Sequence, residues 1–171
     1  PFGAARPDEE LGWLASAFDH SAYEAQWRIP SYVAFSEARD AGPIYREFSR
    51  LLRTDAGQHG HGARPRILKV PQFAEDLPAL LEQFPDARLV VSRRCSEETF
   101  RSSVSLVANQ MVIQSDHVDL GWIEQEWRRK ITLRQSRMEA ALTDFAGQVA
   151  LIDFDQLESD WEGAMHQLYG T

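Results

Sequence analysis

Two places in the sequence bring together residue types that bind anions and stabilise charge during group transfer. The first is Lys69, at the end of the aliphatic run Arg66-Ile67-Leu68-Lys69-Val70 and two residues before Pro71. An ammonium at the carboxyl end of a buried strand stands where open α/β sheets collect their ligands, and as a point charge it neutralises a phosphate or sulfate. The bland alternative is a lysine at the rim of the core, its stem packed and its head in solvent. The second place is segment 92–103, Ser-Arg-Arg-Cys-Ser-Glu-Glu-Thr-Phe-Arg-Ser-Ser, which runs off an aliphatic stretch straight into helical spacing. Ser96 is expected to cap that helix, and the free amides and dipole of a helix start draw an anion. Arg93 or Arg94 would add a forked, charge-assisted contact, and a serine inside the helix a hydroxyl. Glu97 and Glu98 answer the same dipole from the first turn, so an ordinary capped helix leaves a similar signature.

Other residues offer less chemistry. The five histidines, His20, His59, His61, His117 and His166, show no ligand spacing on a helix, so no metal is expected. No phosphate loop of the Gly-x-x-x-x-Gly-Lys-Ser/Thr type, dinucleotide fingerprint or nucleophile elbow occurs. Cys95 follows an arginine pair, yet without a histidine partner in its surroundings it reads as incidental. Of the 18 basic residues only Lys69 and Lys130 are lysines, which draws attention to any lysine in an unusual place.

The elements that must position these groups follow from periodicity. Runs 66–70, 87–92 and 149–154 are short, aliphatic and continuous, the pattern of parallel strands covered on both faces. Between them Leu77, Leu80, Leu81 and Phe84 repeat at helical spacing. Leu120, Ile123, Trp127, Ile131, Met138 and Leu142 mark one stripe of a long helix, and Leu157, Trp161, Met165 and Leu168 another. Upstream, Asp8 is expected to cap a helix faced by Leu11, Leu14, Ala15 and Phe18; Tyr32 and Phe35 start a second, which Pro43 restarts before Ile44, Phe48, Leu51 and Leu52. Residues 55–62 read as a loop. Helices followed by β-α-β-α-α-β-α predict an α/β protein with a parallel sheet, and three strands make that sheet thin.

Composition bounds the answer. A chain of 171 residues, 43% apolar and 26% charged, makes one domain with a real core. A net charge of −8 argues against non-specific nucleic-acid binding, which needs clustered cations. No apolar run reaches membrane-spanning length, and one cysteine excludes an internal disulfide. A cytoplasmic location is the expectation.

Taken together these segments resemble the sulfotransferase family that uses 3′-phosphoadenosine-5′-phosphosulfate (PAPS), bacterial members in particular. Arg66-Ile67-Leu68-Lys69-Val70-Pro71 is similar to the family's Leu-Lys-x-Pro strand, and Phe84-Pro85-Asp86-Ala87-Arg88 to its Phe-Pro-Asp-Ala-Arg approach to the next strand. Arg94, followed eight residues later by Ser102 and then by Ser105-Leu106, resembles its Arg-Asp-Pro…Ser…Ser-Leu motif for the 3′-phosphate. The turn Asp119-Leu120-Gly121-Trp122 and the last strand and helix, through Leu157 and Tyr169-Gly170, are similar too, so the likeness covers residues 30–170.

The resemblance implies a three-layer parallel sheet flanked by helices, in a P-loop-like fold. It implies one domain over 1–171, helical in 1–60, with the half that binds the cofactor's 3′-phosphate in 64–171. PAPS would be the sulfuryl donor, without a metal. Arg94 and Ser102 would hold its 3′-phosphate, and Lys69 would face the transferring group. The acceptor would be a hydroxyl or amine of a small molecule, carbohydrate, lipid or peptide, and a homodimer is compatible. The chain also departs from the pattern. Cys95-Ser96 replaces Asp-Pro, and Phe73 stands where many members carry a histidine base, leaving Glu75 as the nearby acidic candidate. Nothing in residues 1–60 resembles the family's 5′-phosphosulfate loop, so that loop and its strand are expected to be missing from this chain. A non-catalytic binding domain of the same fold, and a P-loop-type kinase, are the competing readings.

Overall fold

Prolines and short polar side chains mark where the helices begin. The computed structural model describes residues 9–170. Within them come α1 (Leu11–Ala15), α2 (Ala22–Gln26), α3 (Pro30–Ala38) and α4 (Gly42–Gln58). Pro30 and Pro43 occupy the first turns of α3 and α4, where a missing N–H leaves nothing unpaired. Asp8, the expected cap of the first helix, lies outside the described residues. The expected loop at 55–62 begins later, because α4 carries on through Asp55 to Gln58. A 3₁₀ turn (Pro71–Ala74) and α5 (Leu77–Gln83) lead to β1 (Leu89–Arg93). The helices α6 (Ser96–Gln114) and α7 (Leu120–Thr143) cross over to β2 (Val149–Asp153), and α8 (Phe154–Ser159) and α9 (Trp161–Tyr169) close the chain.

Side-chain caps explain two of these helix starts. Asp119 opens α7 by accepting the Trp122 amide at 3.0 Å. Asp160 accepts the Gly163 amide at 2.9 Å, and so divides the expected last helix into α8 and α9. At α6 the expectation fails in detail. Cys95 takes the cap position with non-helical backbone (φ −51°, ψ 126°), Ser96 is already helical, and no side chain caps the helix.

β1 and β2 pair in parallel, in register from Leu89↔Val149 to Arg93↔Asp153. This mixed helix-and-strand architecture with a small parallel sheet is the α/β class the sequence predicts, but among the described residues the sheet has two strands rather than three. The run 66–70 is not a strand. Val70 is extended (φ −145°, ψ 134°), yet the Lys69 amide donates to Glu10 Oε2 at 3.0 Å, so a carboxylate takes a group that a sheet ladder would have used. Ile67 stands 84% exposed, and Val90 and Leu151 in β1 and β2 are each 53% exposed, so none of the three runs is a strand covered on both faces.

Two apolar clusters hold the molecule together. Leu14, Tyr45, Phe48, Leu52, Val70, Leu77 and Leu80 form one, with Leu68, Phe73, Leu89 and Met138 against it. Val107, Met111, Ile123 and Trp127 form the other, where α6 meets α7. Helix α7 serves both, its first turns in one cluster and its last in the other. Truncating a side chain such as Trp127 to alanine is worth about 3–5 kcal/mol in cores of this kind.

Candidate functional site

Parallel strands end together, so the last residues of β1 and β2 share one edge of the molecule. There Arg93 and Asp153, partners in register, pair at 3.2 Å. One residue further on, Arg94 lays its guanidinium 4.4 Å from the centre of the Phe154 ring, which opens α8. A cation over an aromatic face is attracted by the ring and held flat. The Arg94 Nε also lies 3.4 Å from Glu98 Oε2, while among the described residues Nη1 and Nη2 have no protein partner. Glu98, Ser102 and Ser105 follow at i, i+4 and i+7 along α6 and so share one helix face. Ser102 is exposed on it. A forked cation just before the helix start suits an anion with several oxygens, and Ser102 lies on the helix face from which Glu98 turns toward that cation.

On the adjacent face of α6 a groove of about 550 Å³ opens toward the first turns of α7. Glu97, Phe100, Arg101, Glu124 and Arg128 line it, with the Arg128 guanidinium 3.8 Å from the centre of the Phe100 ring.

Lys69 is held elsewhere. Its side chain is 71% exposed and its ammonium pairs with Glu9. Phe73 is a core aromatic, its ring centre 6.1 Å from that of Tyr45 and 6.0 Å from that of Phe48, so no polar group stands where the resemblance would put a base.

Glu75 belongs to a third setting, a buried network on the middle of α7. Lys130 follows Ile123 and Trp127 on the buried face and is 2% exposed. Its ammonium meets Glu24 Oε2 at 2.8 Å, Glu75 Oε2 at 2.8 Å and Glu37 Oε1 at 3.1 Å. Arg134 takes the other oxygens, Glu24 Oε1 at 2.5 Å and Glu75 Oε1 at 2.7 Å. Burial alone would push the Glu75 carboxyl up, but Arg134 and Lys130 outweigh it and hold the group below the usual range. At Glu24 burial prevails over the same two cations and the carboxyl is pushed up. Burial would lower the Lys130 ammonium, and Glu24 and Glu75 reverse that. A sister network joins it through the 3₁₀ turn. Arg39 bonds Asp19 through Nε at 2.9 Å and Asp76 through Nη2 at 2.8 Å, with Gln72 Nε2 3.3 Å from Asp19 and Tyr45 donating to Asp76 at 3.3 Å. Together they pin α2, α3 and the turn after Lys69 against α7.

Of the four residues singled out by sequence, the structure sets Arg94 just before α6 and Ser102 exposed in that helix's second turn, and gives Lys69 and Glu75 separate surroundings. Phe154 and the Lys130 network were missed as a setting, and Glu98 was read only as a helix-dipole partner. The trace of the network in the sequence is the rarity of lysine and the spacing that puts Lys130 and Arg134 on the stripe that begins with Ile123 and Trp127. Among the described residues no group of three or more His, Cys, Asp or Glu side chains could hold a metal, and no helix is long and apolar enough to cross a membrane. Comparison with curated proteins returns no match, and comparison with solved structures returns none either. The parallel strands, their shared carboxyl edge and the arginine set on it agree with one further finding: the sulfotransferase family model matches residues 1–171, the full length of the chain, which therefore belongs to that family.

Proposed function

We propose that this protein transfers a sulfuryl group from PAPS to a hydroxyl or amine of a small-molecule, carbohydrate, lipid or peptide acceptor. The observation that carries the reading is Arg94, fixed on Phe154 beyond the carboxyl ends of both strands with Nη1 and Nη2 unpartnered among the described residues. Arg94 grips the 3′-phosphate through that fork, and Ser102 adds a hydroxyl from the same helix. The parallel β1–β2 pair with its helical crossover is compatible with a three-layer, P-loop-like arrangement, of which this reading makes it a part.

PAPS supplies the sulfuryl group when bound. Lys69 provides an exposed ammonium for the negative charge that grows on the bridging oxygen as the sulfur–oxygen bond breaks, and a cation brought there lowers such barriers. Glu9 gives up that ammonium when it turns to the ligand. A general base needs a reachable lone pair and a pKa near working pH. Glu75 has both oxygens taken and a lowered pKa, so in this reading it positions the turn after Lys69 instead of accepting the acceptor's proton.

Calorimetric titration with adenosine 3′,5′-bisphosphate and with 5′-AMP tests the reading. Preference for the bisphosphate, and its loss by about 1.5–3 kcal/mol in Arg94→Ala, is the expected result. Affinity left unchanged by that substitution removes the assignment. The non-catalytic reading draws on one observation, that Lys69 and Arg94 are each paired with a carboxylate. Bisphosphate binding with no sulfate transfer to any acceptor class would favour it.

A further inference from the structure

Glu98 occupies an unusual place for a carboxylate. It stands one helical turn before Ser102 on the same face of α6 and shares the Arg94 guanidinium, with its Oε2 3.4 Å from Nε. A phosphate bridging Arg94 and Ser102 must therefore lie against this carboxylate or displace it. Helix-dipole chemistry does not single Glu98 out, because Glu97 sits in the same first turn and turns instead to Arg101 (3.5 Å) and Arg128 (3.7 Å). Phe154 makes the exchange feasible: the ring keeps the guanidinium in place at 4.4 Å whichever anion holds its edge.

We infer that Glu98 is a built-in counter-anion that competes for Arg94 and sets how tightly the site holds a phosphate. The inference rests on the 3′-phosphate reading of Arg94. Its consequence is a donor site whose affinity is held down from within, so that a spent nucleotide leaves more readily. The pair is half exposed, with side-chain accessibilities of 35% and 55%, so the carboxylate can swing away at small cost.

The experiment titrates the protein with adenosine 3′,5′-bisphosphate and with 5′-AMP, in wild type, Glu98→Gln, Glu97→Gln and Arg94→Ala. Glu98→Gln keeps the side chain's shape and removes its charge. It should tighten the bisphosphate about three- to tenfold, through lost competition and lost repulsion, and leave 5′-AMP unchanged. Glu97→Gln should change neither ligand by more than about twofold. If Arg94→Ala weakens the bisphosphate while Glu98→Gln leaves it unchanged or weakens it, the counter-anion role falls and the phosphate site stands. Equal tightening by the two glutamine variants, or for both nucleotides, also overturns the role, since that is a general field effect. If Arg94→Ala changes nothing, the 3′-phosphate reading itself falls. Thermal midpoints of each variant separate these outcomes from misfolding.

Discussion

The two lysines of this chain show opposite fates for the same side chain. Lys130 is 2% exposed and touches three carboxylates within 3.1 Å, while Lys69 is 71% exposed and its ammonium pairs, among the described residues, with Glu9. The difference lies in what each environment permits. An ammonium taken out of water survives only when its donors are all answered, so Lys130 is committed to the fold. An ammonium in water gains little from any one partner and can change it for a ligand. The contrast extends to the carboxyl edge of the sheet, where Arg93, Arg94, Asp153 and Glu98 are paired loosely and in the open. Buried charge here specifies position, and exposed charge is free to bind.

The largest effect that could break this contrast is the loss of Lys130. Lys130→Ala leaves Glu24, Glu37 and Glu75 facing one another around a cavity, and should cost about 3–5 kcal/mol, or roughly 10 °C in the thermal midpoint. Lys69→Ala should cost under about 0.5 kcal/mol. Similar midpoints for the two variants would dissolve the distinction.

Glu75→Gln should cost about 3 kcal/mol at neutral pH, by leaving Lys130 and Arg134 short of one charge. Its pH dependence carries the sign. The Glu75 carboxyl is held below its ordinary value, so its stabilisation is complete above the usual glutamate range and is lost as pH falls through the folded-state value. Glu24 and Asp19, pushed up by burial, act in the opposite sense and gain stability as they protonate. The gap between wild type and Glu75→Gln, followed by thermal melts from pH 7 to pH 3, should therefore narrow with acid. A gap independent of pH would mean that the ion pairs do not carry the effect.

Next in size is Arg94→Ala, expected to weaken the bisphosphate by about 1.5–3 kcal/mol while shifting stability by less than about 0.5 kcal/mol. A large stability loss would place Arg94 with the structural charges. The smallest effect belongs to Arg93→Ala, which loses an open pair with Asp153 and should change both stability and bisphosphate affinity by less than about 0.5 kcal/mol.

Much of this architecture is legible without coordinates. Pro43 restarts a helix, Asp119 caps one, and the stripe through Ile123 and Trp127 is the buried face of α7. The strand end and helix start of segment 92–103 are readable from pattern, whereas Arg94 and Ser102 stand out within it only through the resemblance to the family's 3′-phosphate motif. The run 66–70 misled, because β-branched and aliphatic residues report burial and extension, whereas a strand also needs a partner, and the Lys69 amide finds the Glu10 side chain. Phe154 went unnoticed as a site residue because its role depends on the register that sets β2 beside β1.

The sequence alone determines the local terms: the existence of the main helices, several of their starts, the apolar stripe of α7, and that the chain carries the marks of the sulfotransferase family it matches over its whole length. These depend on neighbours within a few residues, where propensity, capping and periodicity act. Only the tertiary structure decides which charges are answered. Glu24, Glu37 and Glu75 reach Lys130 across 55 to more than 90 residues of chain, and the Phe154 ring comes beneath Arg94 from the helix that follows β2. Burial turns such pairings from optional contacts into requirements, because an unanswered charge out of water costs more than any local preference can return.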